Sequence, residues 1–267
     1  MTIPINDKFK NFPELFCVSL SSCKDRRNYM QNQCKLLGIK NLTFIDAIDG
    51  RETDMLNQPS INVWWKDLIN SPGVATSLSH LKAIKYWLDN HNSSYAVFCE
   101  DDMDFFNSYY WNFKWENLFQ IFPKNWDSMQ MSLIRETTHW NESIFRIQVR
   151  YFDDWSAGCY ILKRSYAEKL VRNYYLDDGT IELCIRDDIE VAPLIENVLF
   201  NPGWFTQTSY MFPMFVESKL FNSTFYPKFL EKETKGVQME WVDIVSEWWE
   251  KNGRNLSLEN VKLKDSV

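Results

Sequence analysis

No stretch of about eighteen apolar residues runs uninterrupted through the chain, and Met1 to Asn11 carries Asp7, Lys8 and Lys10 without an apolar run. Neither a membrane span nor a signal peptide is expected, which points to the cytoplasm and to membrane contact that is at most peripheral. Sequons such as Asn41-Leu42-Thr43 and Asn222-Ser223-Thr224 are then idle, because glycan acceptor motifs matter only in a secretory lumen. A basic excess is also missing: 29 Lys and Arg stand against 36 Asp and Glu, a net charge of -7. A protein that wraps duplex nucleic acid needs a basic face to neutralise phosphates, so that class is disfavoured. Paired cysteines are missing too. Cys17, Cys23, Cys34, Cys99, Cys159 and Cys184 contain no CxxC and no His/Cys ligand spacing, so neither a zinc site nor a disulfide scaffold is expected, only reduced thiols. With no repeat, low-complexity tract or linker, the 267 residues read as one α/β domain over 1–210 and a C-terminal extension over 211–267.

What the chain has in excess is aromatic: 12 Trp, 12 Tyr and 19 Phe, 16% of all residues. Such rings pack cores, and they also stack on sugars. Trp64, Trp65, Trp155 and Trp204 are the candidates for stacking on an acceptor.

The chain opens with an apolar run, Phe16 to Leu20. Ser21 and Ser22 follow as caps for a helix from about Lys24 to Leu37 that stops at Gly38. Leu42 to Ile45 is a second strand ending at Asp46, with a turn at Asp49-Gly50, so the first fifty residues form a βαβ unit. Met55 to Pro72 reads as an irregular excursion over the active-site face. Val74, Leu78, Leu81, Ile84, Trp87 and Leu88 recur at helical spacing, and Tyr95 to Cys99 is an apolar strand. Further on, Lys114 to Phe122 reads as helix, Ser128 to Leu133, Ile144 to Val149 and Cys159 to Leu162 as strands, and Ser165 to Asn173 and Ile189 to Asn197 as helices. In the tail, Gly236 to Asn252 places Trp241, Ile244, Val245, Trp248 and Trp249 on one side of a helix.

The apolar strand at Tyr95 runs straight into Glu100-Asp101-Asp102. Three adjacent acids repel one another and persist most easily around a cation, and the C-terminal end of a strand is where open α/β sheets bind ligands. Carboxylate-only ligation suits Mg2+ or Mn2+, which would bridge a nucleotide diphosphate and offset charge on a departing leaving group. A second acidic cluster, Asp187-Asp188 with Glu190, precedes the helix at Ile189. It reads either as a helix cap or as a general base for an acceptor hydroxyl. His80, one of three histidines, sits on the helix before the acidic strand, facing either the site or the core. Arg26 and Arg27 open the first helix behind the first strand, where cations attract phosphate.

Taken together, these segments resemble glycosyltransferase family 25, which includes bacterial lipooligosaccharide galactosyltransferases and procollagen galactosyltransferases. Phe16-Cys17-Val18-Ser19-Leu20 with Asp25-Arg26-Arg27 is similar to the family's opening strand and Arg-rich turn. Phe44-Ile45-Asp46-Ala47-Ile48-Asp49-Gly50 is similar to its second strand. Gly73 through Ser79-His80-Leu81 resembles its Gly-to-Ser-His helix, and Val97-Phe98-Cys99-Glu100-Asp101-Asp102 its Glu-Asp-Asp strand end. Gly158 to Leu162 with Ala167 to Leu170, then Asp187-Asp188, Gln207 and Ser209, extend the resemblance from about residue 14 to 210.

The resemblance implies a GT-A, Rossmann-like nucleotide-sugar-binding fold with a mixed central sheet, and a C-terminal extension carrying the Trp-rich helix. It implies a UDP-linked hexose donor, galactose or glucose, a divalent metal (Mn2+ or Mg2+), and inversion at the anomeric carbon. The acceptor would be a glycan, glycolipid or protein, in lipooligosaccharide-type synthesis. Carried over, Asp102 is the principal metal ligand, and Glu100 and Asp101 reach metal, ribose or donor sugar. Asp46 lies near the nucleoside, Arg26 or Arg27 near the phosphates or base, His80 and Gln207 at the donor pocket, and Asp188, with Asp187 as substitute, is the base.

The chain departs from the family pattern at Cys99, where an aliphatic residue is commoner, at Val74-Ala75 after Gly73, and throughout the segment after Tyr210. Two other readings compete. One is a phage or viral transferase acting on a nucleobase or protein. The other is a non-enzymatic, Trp-rich carbohydrate-binding protein with structural Ca2+. The Trp-bearing tail has few flanking cations, so packing on a partner, on a second copy or on the protein itself suits it better than a membrane.

Overall fold

The computed structural model describes residues 3–64, 66–134, 147–150, 154–183, 192–200, 209–221 and 231–261. In chain order the elements are α1 (Ile5–Lys8), β1 (Leu15–Ser19), α2 (Lys24–Leu37), β2 (Leu42–Asp46), β3 (Ile61–Val63), α3 (Ser71–Asn90), β4 (Tyr95–Glu100), β5 (Met103–Asp104) and α4 (Trp115–Leu118). There follow β6 (Ser128–Gln130), β7 (Gln148–Val149), β8 (Cys159–Lys163), α5 (Arg164–Tyr174), β9 (Ile181–Leu183), α6 (Ile195–Phe200), β10 (Ser209–Met211), β11 (Val216–Glu217) and α7 (Glu231–Asn252).

Seven strands form one mixed sheet in the order β2-β1-β4-β8-β6-β10-β7. β1 is parallel to both β2 and β4, and β8 runs antiparallel to β4 and β6. The expected mixed α/β architecture is therefore present. Alternation along the central strands sorts their side chains onto two faces. Cys17, Cys99 and Cys159, in register on β1, β4 and β8, face Met30, Cys34 and Leu37 of α2. Phe16, Phe98 and Tyr160 form a stacked ladder on the opposite face, with ring centroids 5.5 and 5.3 Å apart, beneath α3. Cys99 thus occupies a small-residue position in a fully buried thiol row, where burial pushes its pKa up to about 11. The five described cysteines are all free.

Local chemistry explains where the elements start and stop. α2 ends at Gly38, whose φ of 75° is the left-handed geometry that glycine adopts without cost. Its N-cap is Cys23 with no side-chain cap, so the capping expected of Ser21 and Ser22 is absent. α3 begins a turn earlier than its apolar period indicates, because the Asn70 side chain accepts from the Gly73 N–H at 2.9 Å and Pro72 sits in the first turn. The helix expected over 114–122 shrinks to α4. Gln120 and Ile121 bond back only three residues, to Asn117 and Leu118, as the chain tightens ahead of Pro123. The excursion over 55–72 is not wholly irregular, since β3 pairs in parallel with β9.

The tail joins the main core. Trp241, Val245 and Trp249 of α7 are buried, with Trp249 packed on Trp111 and Phe212 at 5.9 Å and donating its indole N–H to the Pro213 carbonyl at 3.0 Å. Trp249→Ala is expected to cost about 3–5 kcal/mol, the usual range for emptying a buried indole site. Urea unfolding monitored by circular dichroism measures it, and a loss below about 1 kcal/mol would contradict this packing. Among the described residues no helix is long and apolar enough to cross a membrane.

Candidate active site

The parallel strands β2, β1 and β4 end together: Ser19 is in register with Asp46, and Val18 with Glu100. The chain leaves β1 toward β2 on one side and returns to β4 on the other, so the crevice at their C-terminal ends is a topological switch point. Every acid of the Glu100-Asp101-Asp102 triplet is held differently there.

Glu100 closes β4 with its N–H on the Gly158 carbonyl, 2.9 Å away. Its Oε1 lies 3.4 Å from His80 Nε2, and His80 Nδ1 lies 2.9 Å from the Tyr160 hydroxyl. Burial raises the Glu100 pKa, but contact with His80 and, further off, Arg26 outweighs it, leaving the carboxyl below its usual value. His80 is fully buried, with its two ring nitrogens turned to Tyr160 and Glu100.

Asp101 is fully engaged. Its Oδ1 accepts from Arg26 Nη1 at 2.8 Å and its Oδ2 from the Ser19 hydroxyl at 2.6 Å. Asp102 shares the same Arg26 nitrogen through Oδ2 at 3.0 Å, while its Oδ1 is buried without any hydrogen-bond partner. Burial, reinforced by the Glu100 charge, pushes the Asp102 pKa up to about 7.

The two arginines take separate acids. Arg27 donates from Nε to the Ser19 hydroxyl at 3.1 Å and from Nη2 to the Ser19 carbonyl at 2.8 Å and Asp46 Oδ1 at 2.5 Å. That bond to Arg27 holds the Asp46 carboxyl below its ordinary value, although the side chain is 64% exposed. Arg26 is buried, with its guanidinium carbon 5.3 Å from the Phe221 ring centre.

Sequence reasoning passed over four residues here. Glu217, on β11 opposite Met103 of β5, lies close enough to Asp102 and Glu100 that burial first, and their charges next, push its carboxyl well up. The Ser218 N–H donates to the Asp102 carbonyl at 2.6 Å and anchors this strand against the triplet. Ser156, just before β8, has a φ of 89°, rare for a residue with a side chain, and its N–H reaches Glu196 Oε1 at 3.1 Å. Ser19 is the hub between Arg27 and Asp101. The one legible signal was at Glu217, where the apolar run Met211 to Val216 ends in an acid as β4 does.

Asp187, Asp188, Gln207, Trp65 and Trp204 lie outside the described residues. The helix expected from Ile189 is corrected in its described part: 192–194 are not helical and α6 starts at Ile195. Of the other stacking candidates, Trp64 donates to Glu182 Oε1 at 3.0 Å and Trp155 bridges to Ile134, and both are half-buried.

Among the described residues, no three His, Cys, Asp or Glu side chains form a group able to hold a metal ion unaided. Mg2+-type sites commonly use one or two carboxylates and take the remaining ligands from substrate phosphates and water. The unpartnered Asp102 Oδ1 beside Glu100 fits that pattern.

Residues 12–177, more than half of the chain, match the family described as Glycosyltransferase family 25 (LPS biosynthesis protein). No curated protein matches the chain. Among solved structures it is similar to A197 from STIV, at 12% identity and a TM-score of 0.36, covering 77% of this chain and 84% of that one. It is also similar to HddC from Yersinia pseudotuberculosis, at 11% identity and a TM-score of 0.34, covering 83% of this chain and 77% of that one.

Proposed function

The chain belongs to glycosyltransferase family 25, and from that premise we propose that it transfers galactose or glucose from a UDP-sugar to a glycan, glycolipid or protein hydroxyl with inversion, using Mn2+ or Mg2+. Residues 1–210 form the GT-A catalytic part and 211–267 an extension packed on it, and the reaction takes place in the cytoplasm. The observation that carries the reading is the convergence of three parallel strand ends on the acidic triplet, with one Asp102 oxygen buried and unpaired.

Asp102 and Glu100 would hold the metal. Once bound, the cation offsets the negative charge that grows on the departing diphosphate. His80, itself fixed by Tyr160, orients the Glu100 carboxylate. Ser19 and Arg27 fix Asp46 and Asp101 at the two neighbouring strand ends, where the nucleoside side of the donor is placed. Asp188, with Asp187 as substitute, takes the proton of the attacking acceptor hydroxyl.

The metal step predicts its own pH dependence. Asp102 titrates at about 7 instead of near the ordinary 3.8, and only its ionised form attracts a cation. Mn2+ affinity should therefore rise by about tenfold per pH unit up to about 7 and level off above it. Mn2+ titrations followed by electron paramagnetic resonance between pH 5.5 and 8 test this, and a flat profile would remove Asp102 as the ligand.

A further inference from the structure

Resting on the reading that Asp102 and Glu100 take a divalent cation, we propose that Arg26 is a positioning residue that exchanges with that cation. Its guanidinium holds the Asp101–Asp102 pair until the metal arrives and then turns to the donor diphosphate, coupling the two binding events. A single nitrogen, Nη1, sits 2.8 Å from Asp101 Oδ1 and 3.0 Å from Asp102 Oδ2, and all three side chains are at most 15% exposed.

Two cations cannot share those carboxylates without strong mutual repulsion at low local dielectric. Without Arg26, two buried acids would stand beside Glu100 and Glu217 with little to offset them. The guanidinium stays charged throughout, because Asp102 and Asp101 outweigh the opposing effect of burial and raise its pKa further. The diphosphate delivered to the same crevice is an anion whose geometry suits the planar fork of donors. Phe221, with its ring centre 5.3 Å away, offers a face along which the guanidinium can turn. Coupling of this kind is reciprocal: UDP tightens Mn2+ binding by the factor by which Mn2+ tightens UDP.

The test uses the full chain at pH 8, with Mn2+ and UDP as probes, in wild type and Arg26→Gln. Mn2+ binding is read by electron paramagnetic resonance and UDP binding by calorimetry. In the variant, Mn2+ alone should bind about tenfold more tightly than in wild type, and the mutual enhancement between Mn2+ and UDP should fall to near unity. If Arg26→Gln does not fold, Arg26→Lys serves instead: its shorter side chain reaches the two carboxylates less well, so Mn2+ should bind a few-fold tighter. Unchanged or weaker Mn2+ binding in the folded variant overturns the exchange while leaving the metal site standing. Absence of Mn2+ binding in wild type, with or without UDP, overturns the metal reading and the exchange together.

Discussion

Asp102→Asn should remove Mn2+-dependent donor binding and lower sugar transfer by about a hundred- to a thousandfold or more, the scale on which single charge-stabilising groups at a reacting centre act. The substitution keeps the volume and deletes the charge. Folding should tolerate it, because the wild-type carboxylate is buried, has one oxygen without a partner and resists ionisation up to about pH 7. An amide removes that burden while still accepting from Arg26 Nη1, so the melting temperature should stay within a few degrees of wild type. Transfer assayed from a UDP-sugar with and without Mn2+, alongside a melting curve, separates the outcomes. A folded Asp102→Asn protein that keeps Mn2+-dependent transfer would remove Asp102 from the metal site.

The second large effect belongs to Asp188. Asp188→Asn should leave the thermal shift produced by UDP and Mn2+ intact and reduce transfer by about a hundred- to ten-thousandfold, the range for deleting a positioned general base. Loss of kcat with donor affinity retained is the signature of a group used only as the acceptor attacks. Asp187→Asn should keep most of the transfer. The reverse pattern would move the role to Asp187, and full transfer in both variants would exclude both. Glu217 would then be the next carboxylate to examine, since it lines a recess with Ser132, Ser156 and Trp241 and feels the charges of Asp102 and Glu100.

The parts of this molecule that were legible in its sequence are those where one local signal dominates. α2 follows the expected Lys24 to Leu37 because a strand, a polar turn and Gly38 bracket it. β4 and its acids stand out because five apolar residues meet three charges with no transition. Features set by distant contacts were not legible. β3 and β9 are three residues each, too short for a period to register, and exist because Ile61 to Val63 pairs with Ile181 to Leu183 far along the chain. Ser156 and Glu196 looked like ordinary polar residues, and only the fold brings the serine N–H onto the carboxylate. The over-long helix at 114–122 shows the opposite error: its apolar spacing is genuine, but it serves the aromatic cluster of Trp115, Phe119, Phe122 and Trp126, not a continuous helix. The partners of the two arginines were not legible either, because a sequence shows charge without showing which group holds it. Arg26 is held by Asp101 and Asp102, and Arg27 by Ser19 and Asp46.

The most direct test of the central claim is a thermal-shift panel of UDP-, GDP-, CMP- and dTDP-sugars, each with and without Mn2+. A ligand that binds the native state raises its melting temperature, and more so the tighter it binds. Stabilisation by the UDP-sugars that requires Mn2+ is the predicted result. Stabilisation by another nucleotide class, or equal stabilisation without metal, would contradict the donor or the metal assignment respectively, and no response to any of the four would contradict both.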